Sequence, residues 1–266
     1  MITKTVPLKY LTTIRQKGSV QLCYIEDIGE IDGEVPLIGG GSNVIVKDSI
    51  KLYRLSGRFD YIKSEGGILR VGGSTPLKRL ISYAFKHSLS CLEFLAGVPA
   101  TVGGLTVMNA GAFGHEISEF IDFVKVYDLE KGTVVIRRDV NFAYRMTDIV
   151  GIVVEIGLKC NIVDGLKLRK TVSDYIKRRI DKAHLLNTFG SVFKNPSNEV
   201  AAGKLIEECG LKGRVRNSAM ISRKHGNFIV GSGDVDVDDV LYLIELAEEE
   251  VLKRFGIELE REVRVL

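Results

Sequence analysis

The sequence predicts an α+β fold in two successive parts, and three observations support this prediction. Short segments rich in Val and Ile are separated by glycine-containing turns, which is typical of strands. Elsewhere, apolar residues recur at helical spacing and indicate amphipathic helices. Near residue 160 the pattern changes from a helix followed by consecutive strands to helices that alternate with a single strand. The length of 266 residues predicts one to three compact units, because domains usually contain about 100–200 residues.

The first part opens with closely spaced strand and turn signals. Residues 35–54 predict a strand, a glycine turn and two further strands. A helix should follow, with Thr75 as its N-cap and Pro76 in its first position. The apolar stripe of this helix consists of Leu77, Leu80, Ile81, Ala84 and Phe85. Three later segments predict strands of a mixed or antiparallel sheet, namely residues 123–129, 133–137 and 151–159.

The second part is dominated by helix signals. Its predicted elements are a helix over 172–182, a helix capped by Asn198 and stopped by Gly210, a strand over 227–230, a helix over 240–255 and a strand-like tail over 257–266. No internal repeat and no low-complexity linker interrupts this order. Both parts therefore mix helices and strands.

Composition and charge exclude several classes of protein. The chain is 45% hydrophobic and 27% charged, which is an ordinary globular balance. Its net charge of +3 is too small to indicate the concentrated basic face of a nucleic-acid-binding protein. The sequence has no run of about 18 apolar residues, and residues 1–16 lack the apolar core of a secretory signal. We therefore expect a cytoplasmic protein with no membrane insertion and no nucleic-acid partner.

Cysteine spacing argues against a metal site. The four cysteines are Cys23, Cys91, Cys160 and Cys209, and they form no C-x-x-C pair. This spacing disfavours a zinc site and a dense disulfide framework. We expect buried thiols in a reducing compartment, and no metal site.

The first glycine cluster is Gly39-Gly40-Gly41-Ser42-Asn43. Three glycines allow positive φ and a close backbone approach, and successive N–H groups can form an anion-binding concavity. We expect that a side chain at Gly40 would require a disfavoured φ. The cluster is neither G-x-G-x-x-G nor a Walker loop, so a Rossmann site is disfavoured. The alternative interpretation is an ordinary hairpin turn.

The second cluster is the uncharged segment from Gly97 to Gly114, GVPATVGGLTVMNAGAFG. A segment with so many glycines and so little side-chain bulk is costly in backbone entropy. It indicates a flat or extended ligand that lies against the backbone. The alternative interpretation is a loop that packs a helix tightly on a sheet.

Three shorter segments are weak signals when each is taken alone. They are Tyr144-Arg145, GSVFKNP at residues 190–196 and EREVR at residues 260–264. A lone arginine is usually a surface ion pair. A serine usually closes a turn, and a glutamate near the C-terminus usually faces water.

Taken in order, these motifs resemble the UDP-N-acetylenolpyruvoylglucosamine reductase family, whose members are FAD enzymes of peptidoglycan precursor synthesis. The resemblance covers nearly the whole chain and runs through TTIR, GGGSN, GVPATVGG, MNAGAFGHEI, YR, GSVFKNP, AGKLIEECGLKG, KHGNFIV and EREVR. The short interval between Arg145 and Ser191 resembles the family's shorter type. The chain departs from the family pattern at Gln16-Lys17, Ala100, Gly226 and Arg261.

The resemblance implies a domain organisation and a cofactor. A FAD-binding region of the vanillyl-alcohol-oxidase (PCMH-like) type would cover residues 1–160, followed by an α+β substrate-binding domain over 161–256. A C-terminal tail over 257–266 would return to the flavin site. FAD would be bound non-covalently. The implied cofactor-binding residues are Gly39, Gly40, Gly41, Ser42, Asn43, Gly97, Val98, Pro99, Gly103, Gly104, Asn109, Gly111, Gly114 and Arg264.

The resemblance also implies an activity, the NADPH-dependent, FAD-mediated reduction of UDP-N-acetylglucosamine enolpyruvate to UDP-N-acetylmuramate. Arg145 would stabilise negative charge on the enolpyruvyl carboxylate, because a guanidinium is always protonated and forks onto carboxylates. Ser191 would protonate the neighbouring carbon, and Glu262 would be the third catalytic residue. The implied substrate-binding residues are Tyr144, Lys194 and Asn195.

Two other functions stay open at this point. A flavin-binding electron-transfer subunit of a related fold would share the glycine turn but would need neither Ser191 nor Glu262. A non-catalytic homologue would bind the sugar nucleotide only, and the presence of all three catalytic residues argues against it. For the reductase, we expect a monomer that acts on a UDP-sugar.

Overall fold

The structure is a computed structural model that describes residues 1–31, 33, 35–47, 50–182 and 187–266. The α-helices are α1 Leu77–Lys86, α2 Val102–Val107, α3 Gly165–Lys182, α4 Ala202–Glu208 and α5 Val237–Phe255. The strands are β1 Ile2–Pro7, β2 Ser19–Ile25, β3 Val44–Ile45, β4 Lys51–Leu55, β5 Ile62–Glu65, β6 Ile68–Gly72, β7 Leu89–Ser90, β8 Gly111–Ala112, β9 His115–Glu116, β10 Ile121–Asp128, β11 Thr133–Arg137, β12 Phe142–Ala143, β13 Met146–Thr147, β14 Ile152–Lys159, β15 Asn161–Ile162, β16 Thr188–Ser191, β17 Val215–Arg216, β18 Ala219–Ile221, β19 Phe228–Gly231 and β20 Arg264–Val265. Short 3-10 helices lie at Leu8–Tyr10, Ile28–Glu30, Gly57–Phe59, Glu93–Leu95 and Ile117–Phe120.

The chain forms two compact units, each assembled from three stretches of sequence. Unit 1 comprises Met1–Lys4, Leu22–Gly40 and Lys51–Arg178. Unit 2 comprises Thr5–Gln21, Gly41–Ile50 and Arg179–Leu266. Both units contain helices and strands, which confirms the predicted α+β class.

Unit 1 is built on a five-stranded antiparallel sheet in the order β11-β10-β14-β6-β5. Strand β14 runs through its middle, and seven of its eight residues are buried. Helix α2 packs on this strand through Gly103, where a Cβ would lie 2.9 Å from the Gly73 carbonyl oxygen and 3.3 Å from that of Val153. The glycine therefore sets the distance between helix and sheet. The surrounding core includes Leu69, Val71, Leu77, Leu80, Phe94, Val102, Leu105, Val124 and Ile156.

A buried carboxylate lies in the middle of this sheet. Glu155 on β14 accepts hydrogen bonds from the Tyr61 hydroxyl at 2.7 Å and Arg70 Nη2 at 2.9 Å, and Lys125 Nζ lies 3.0 Å away. Burial raises the pKa of Glu155, but these three partners outweigh burial and hold the pKa below its usual value. Burial and the same carboxylate raise the pKa of Tyr61. Glu155 therefore stays ionised and links β14 to β6, to β10 and to the residue before β5.

Unit 2 is built on a four-stranded antiparallel sheet in the order β16-β19-β18-β17. Its longest helix is α5, which begins where the Asp236 side chain accepts from the Asp238 N–H and ends at Gly256 with φ +67°. Near the C-terminus, β20 pairs in parallel with β3, so that Arg264 lies opposite Val44. The core of unit 2 includes Phe189, Val192, Phe193, Ile206, Ile221, Ile229, Leu243, Ile244 and Val251.

The predicted strands over 123–129, 133–137, 151–159 and 227–230 are confirmed within one or two residues at each end. The strand expected before the glycine turn is present only as an isolated bridge between Leu37 and Tyr53. Helix α3 begins at Gly165 rather than at residue 172. Within the described residues, none of the helices combines the length and apolar character that a membrane crossing requires.

The expected helix caps were wrong in two places. Thr75 is fully buried and donates its hydroxyl to the Tyr61 carbonyl, so Pro76 occupies the cap position of α1. At α4 the Asn195 side chain, rather than Asn198, accepts from the first helical N–H at 3.2 Å. The side chains of Thr75 and Asn195 thus contact groups that lie outside the local cap pattern. Apolar periodicity does not reveal such contacts.

Candidate active site

The glycine turn Gly39–Asn43 follows the bridge at Leu37 and leads into β3. Gly39 and Gly40 belong to unit 1, and Gly41 to Asn43 belong to unit 2. In the described part of the chain, none of the five backbone N–H groups of this turn donates to a protein acceptor. Consecutive amides of this kind are donors that phosphate oxygens can satisfy.

Close backbone contacts explain why this turn needs glycine. A Cβ at Gly40 would lie 2.5 Å from the Pro99 carbonyl oxygen and 2.8 Å from Ala100 Cα. At Gly41 a Cβ would overlap the Leu11 carbonyl oxygen, and φ is +67°. The positive φ therefore lies at Gly41, and the expectation that it lies at Gly40 was wrong.

The segment Gly97–Gly114 contains a short helix, α2, that the sequence reasoning did not predict. The Thr101 hydroxyl caps it by accepting from the Gly104 N–H at 3.4 Å. Within the segment, the Leu105 N–H donates to the Thr101 carbonyl at 3.0 Å and the Ala110 N–H donates to the Leu105 carbonyl at 2.9 Å. These amides are satisfied by the segment itself, which agrees with the packing interpretation of this run.

Arg145 occupies the second position of the two-residue loop between β12 and β13. Its φ is +56°, a conformation that residues other than glycine rarely adopt. Its Nη2 donates to the Gly111 carbonyl at 2.9 Å, and its Cζ lies 4.8 Å from the centroid of the Tyr144 ring. The side chain is 18% exposed, so these contacts hold the guanidinium in place near the surface of unit 1.

The Arg145 side chain is supported by Asn109 and Gly111 of the segment Gly97–Gly114 and by Glu116, which follows this segment. Asn109 is fully buried, and its Nδ2 donates to Glu116 Oε2 at 2.7 Å and to the Ala143 carbonyl at 3.0 Å. Glu116 Oε1 lies 3.9 Å from Arg145 Nη1. At Gly111 a Cβ would lie 3.0 Å from the same Nη1 atom. The sequence reasoning missed Glu116, whose only signal was its place in the motif MNAGAFGHEI.

In unit 2, the structure brings Ser191 and Glu262 onto adjacent backbone segments. The Val192 carbonyl, next to Ser191, accepts from the Glu262 N–H at 2.8 Å. Asn43 Nδ2 donates to the Glu262 carbonyl at 2.9 Å, and the Asn43 carbonyl accepts from the Arg264 N–H at 3.1 Å. The C-terminal tail therefore joins the glycine turn to the strand that carries Ser191. Within the described residues, the Ser191 hydroxyl forms no hydrogen bond.

Asn227 fixes the backbone that follows Ser191, and the sequence reasoning missed this role. It is 4% exposed, its Oδ1 accepts from the Phe193 N–H at 2.9 Å, and its Nδ2 donates to the Phe193 carbonyl at 2.8 Å. The Asn227 carbonyl also accepts from the Val192 N–H at 3.0 Å. The only signal in the sequence was the position of Asn227 within the motif KHGNFIV.

Lys194 and Asn195, which we predict to bind substrate, both contact protein groups of unit 2. Lys194 Nζ lies 2.5 Å from Glu260 Oε1, and the Lys194 N–H donates to the Glu260 carbonyl at 2.8 Å. Asn195 Oδ1 accepts from the Ala202 N–H. Because Glu260 is largely exposed, an anionic ligand can compete with it for the lysine ammonium.

Two departures from the family pattern have structural roles in unit 2. The buried Gln16 side chain pairs with the backbone of Val46, accepting from its N–H at 3.0 Å and donating to its carbonyl. Arg261 forms a two-pronged ion pair with Glu248 on α5, with N···O distances of 2.5 and 2.6 Å. Arg261 thereby anchors the tail next to Glu262.

The potential metal ligands and the cysteines of the described residues bear on two further expectations. No group of three or more His, Cys, Asp or Glu side chains is arranged to hold a metal ion there. None of the four cysteines forms a disulfide. Cys23 and Cys91 are buried as expected, whereas Cys160 and Cys209 are partly exposed, so the expectation of four buried thiols was wrong for these two.

Two family models match the chain. The model described as FAD binding domain matches residues 29–137, and the model described as UDP-N-acetylenolpyruvoylglucosamine reductase, C-terminal domain, matches residues 181–266. The UDP-N-acetylenolpyruvoylglucosamine reductase of Thermotoga petrophila is 38% identical over 242 residues, which cover 88% of this chain and 85% of the relative. The chain belongs to the UDP-N-acetylenolpyruvoylglucosamine reductase family.

Other members of the reductase family agree with this assignment. The reductase of Clostridium botulinum is 35% identical, with 96% of this chain and 84% of that protein covered. The crystal structure of the reductase from Thermus caldophilus superposes with a TM-score of 0.86 at 32% identity, and covers 100% of this chain and 99% of that one. The predicted family resemblance, the fold class and FAD as the cofactor are thus confirmed, whereas the predicted domain bounds stay predictions. The roles of individual site residues stay predictions.

Proposed function

We propose that this chain reduces UDP-N-acetylenolpyruvoylglucosamine to UDP-N-acetylmuramate, with FAD as the bound cofactor and NADPH as the source of hydride. Family membership supports the reaction and the cofactor. The observation that carries the proposal is the backbone junction in unit 2, where the Glu262 N–H donates to the carbonyl of Val192, next to Ser191. This junction places a potential proton donor and a carboxylate on neighbouring segments.

The backbone of the glycine turn fits an anionic cofactor. The N–H groups of residues 39–43 have no acceptor among the described protein groups, and a pyrophosphate supplies several acceptor oxygens. When bound, FAD supplies hydride-transfer chemistry that amino-acid side chains do not provide. We propose that these amides hold its pyrophosphate, together with the predicted residues of the segment Gly97–Gly114.

Arg145 would bind the enolpyruvyl carboxylate. Hydride addition to the terminal carbon of the double bond leaves negative charge on the adjacent carbon and its carboxylate, and a fixed guanidinium stabilises that charge. The contacts with Gly111, Glu116 and Tyr144 support this role, because they hold the guanidinium before substrate arrives. Preorganised charge requires little rearrangement at the moment of reaction.

Ser191 would then deliver a proton to the carbon next to the carboxylate, which completes the two-electron reduction of the double bond. Its hydroxyl has no acceptor among the described residues and is therefore available to donate. Glu262 would orient the charged intermediate or return a proton to Ser191. Asn227 holds the backbone that follows Ser191, because its side chain binds both the N–H and the carbonyl of Phe193.

We assign the substrate's diphosphate and sugar to the predicted residues Tyr144, Lys194 and Asn195. Residues 1–160 form the proposed FAD-binding region, residues 161–256 the substrate-binding domain and residues 257–266 the returning tail. We propose that the enzyme works as a cytoplasmic monomer on this UDP-sugar, without a nucleic-acid partner. Its net charge of +3 suits a small anionic substrate better than a polyanion.

The decisive experiment replaces Ser191 with Ala. General acid catalysis contributes about 10²–10⁴-fold, so we expect turnover to fall by at least about 10²-fold while reduction of FAD by NADPH stays near normal. Stopped-flow absorbance separates the two half-reactions. Ser191→Cys should recover part of the rate, because a thiol also donates a proton.

Ser232→Ala is the matched control in unit 2. Ser232 is exposed, and its hydroxyl donates to the Ser218 carbonyl at 3.3 Å, so this variant should behave like the wild type. Near-normal turnover by a folded, FAD-loaded Ser191→Ala enzyme would contradict the role of Ser191. A wild-type protein that binds FAD but does not turn over the enolpyruvyl substrate would contradict the proposed reaction.

A further inference from the structure

Arg54 on β4 is a half-buried cation that the mechanism above does not use. Its Nη2 donates to the Gly39 carbonyl at 2.8 Å. Its Nε is buried and has no hydrogen-bond partner, and no carboxylate of the described residues forms an ion pair with it. Burial lowers the pKa of Arg54, since desolvation disfavours the charged form. A buried donor without an acceptor is costly, which indicates that Arg54 serves more than the packing of β4.

The contact with Gly39 also sets the direction of a neighbouring donor. The described residues contain no cis peptide bond, so the carbonyl of Gly39 and the N–H of Gly40 point to opposite sides of one planar unit. Because Arg54 holds this carbonyl, the Gly40 N–H points away from the guanidinium. That N–H has no acceptor among the described protein groups.

The strand pairing explains why Arg54 can act in this way. The Ile38 N–H donates to the Tyr53 carbonyl at 2.8 Å, and the Tyr53 N–H donates to the Pro36 carbonyl at 3.0 Å. These bonds fix β4 alongside the residues that lead into the glycine turn. The side chain that follows Tyr53 therefore reaches Gly39 from within unit 1.

We propose that Arg54 is a positioning residue for the FAD pyrophosphate, which orients the Gly39–Gly40 peptide so that the Gly40 N–H donates to a phosphate oxygen. This inference rests on the proposed FAD-dependent function. It assigns no role in the hydride or proton steps to Arg54. It concerns the phosphate part of the cofactor and not its flavin ring.

The test compares two ligands on apoprotein that carries Arg54→Met. FAD contains the pyrophosphate, whereas riboflavin contains the same ring system without phosphate, and both are titrated by quenching of flavin fluorescence. A hydrogen bond that involves a charged group contributes about 1.5–3 kcal/mol, so FAD affinity should fall about 10- to 100-fold. Riboflavin affinity should stay within about 2-fold.

The thermal stability of the apoprotein gives a second readout. Replacing Arg54 by an apolar side chain removes the cost of the unpaired Nε, which offsets the lost hydrogen bond to the Gly39 carbonyl. Apo Arg54→Met should therefore melt at the wild-type temperature or above it, although it binds FAD more weakly. Arg54→Lys keeps the charge and one donor, so it should recover FAD binding to within about 10-fold of wild type.

Arg58→Met is the matched control, because Arg58 is largely exposed, lies four residues further along unit 1 and, within the described residues, pairs with Glu26 alone. It should leave both affinities unchanged. Wild-type FAD affinity in Arg54→Met, or an equal loss for FAD and riboflavin, would overturn the inference. If Arg54→Met does not fold, Arg54→Leu takes its place, since a loss confined to FAD supports the proposal and an equal or absent loss overturns it. A wild-type protein that fails to bind FAD would overturn the proposed function as well.

Discussion

The turn Gly39–Asn43 and the segment Gly97–Gly114 are both rich in glycine, but their backbones differ in what they leave available. In the turn, none of the five N–H groups has an acceptor among the described protein groups. In the segment, amides such as those of Leu105 and Ala110 donate to carbonyls of the same segment. The first region offers donors to a ligand, whereas the second uses its donors to build α2.

The difference shows that glycine content alone does not identify a binding loop. Glycines in both regions permit close contacts between backbones, at Gly40 against Pro99 and at Gly103 against Gly73. The regions differ in whether their backbone N–H groups donate to protein carbonyls. We infer that the turn binds the FAD pyrophosphate and that the segment, through Gly111 and Asn109, holds Arg145 ready for substrate.

The largest effect should follow from changing the group that the segment supports. Arg145→Lys keeps a positive charge but loses the fork that contacts a carboxylate. Removing one such preorganised donor costs about 10²–10³-fold in kcat, so we expect turnover to fall by that factor with FAD content unchanged. Steady-state rates and the absorbance of bound FAD measure both quantities.

Arg138→Lys is the control for this change, because Arg138 is exposed and pairs with Asp122 on the surface of unit 1. Its turnover should match the wild type. A loss of FAD from Arg145→Lys equal to its loss of turnover would instead assign Arg145 to cofactor binding and contradict its role toward the substrate carboxylate.

The sheet beneath the segment can be weakened without changing either glycine region. Glu155→Gln removes the buried carboxylate that pairs with Arg70 and Lys125. Breaking a buried pair from one side costs about 3–5 kcal/mol, and urea denaturation at pH 7 should show a loss of about 3 kcal/mol. Protection of the α2 amides should fall, because α2 packs on β14 through Gly103.

The same carboxylate predicts a pH dependence. The pKa of Glu155 is lower in the folded protein than in the unfolded chain, so its stabilising contribution is complete above the unfolded value of about 4.3. The contribution is lost as the pH falls from there through the folded pKa. Wild-type stability should therefore drop more steeply in acid than that of Glu155→Gln, and parallel acid titrations of the two proteins would rule this account out.

Alanine substitutions compare the two regions directly. Gly41→Ala must accept a positive φ and an overlap with the Leu11 carbonyl, which should cost about 2 kcal/mol or more. Gly104→Ala lies inside α2, where its Cβ would meet only Thr101 Oγ1 at 3.4 Å, so it should stabilise the apoprotein by about 0.5–1 kcal/mol. Thermal melts of the apoproteins measure both changes.

Gly104→Ala carries a further expectation for the cofactor. Gly104 is exposed in unit 1 and is among the predicted FAD-binding residues. A methyl group there would meet the cofactor, so FAD affinity should fall even though the apoprotein is more stable. Unchanged FAD affinity would show that Gly104 does not contact the cofactor. The glycine at this position would then serve helix packing alone.

The parts of the fold that the sequence predicted are those governed by local patterns. Segments rich in Val and Ile located β10, β11 and β14, and the three glycines marked the turn before β3. Helix α2 was missed because VGGLTV has two glycines and only six residues, which gives it a poor intrinsic helix propensity. Its formation depends on the Thr101 cap and on packing against β14.

The supporting residues of the site could not be predicted, because their partners are distant in sequence. Arg54 lies on a strand of alternating residues and bonds a carbonyl 15 residues away. Asn227 binds the backbone of Phe193 across 34 residues. Glu116 and Asn109 act on Arg145 only after β12 and β13 form their hairpin. The resemblance named Arg145, Ser191 and Glu262, but these contacts appear only in the folded chain.

The most direct test of the central claim is amide hydrogen exchange, measured by NMR residue by residue in the apoprotein and the FAD-loaded protein. We expect the amides of residues 39–43 to exchange rapidly in the apoprotein and to slow by at least about 10-fold with FAD. The amides of Leu105 and Ala110 should be slow in both states, because the segment satisfies them itself. Rapid exchange at residues 39–43 with FAD bound, or new protection confined to residues 97–114, would contradict the assignment of the turn to the cofactor.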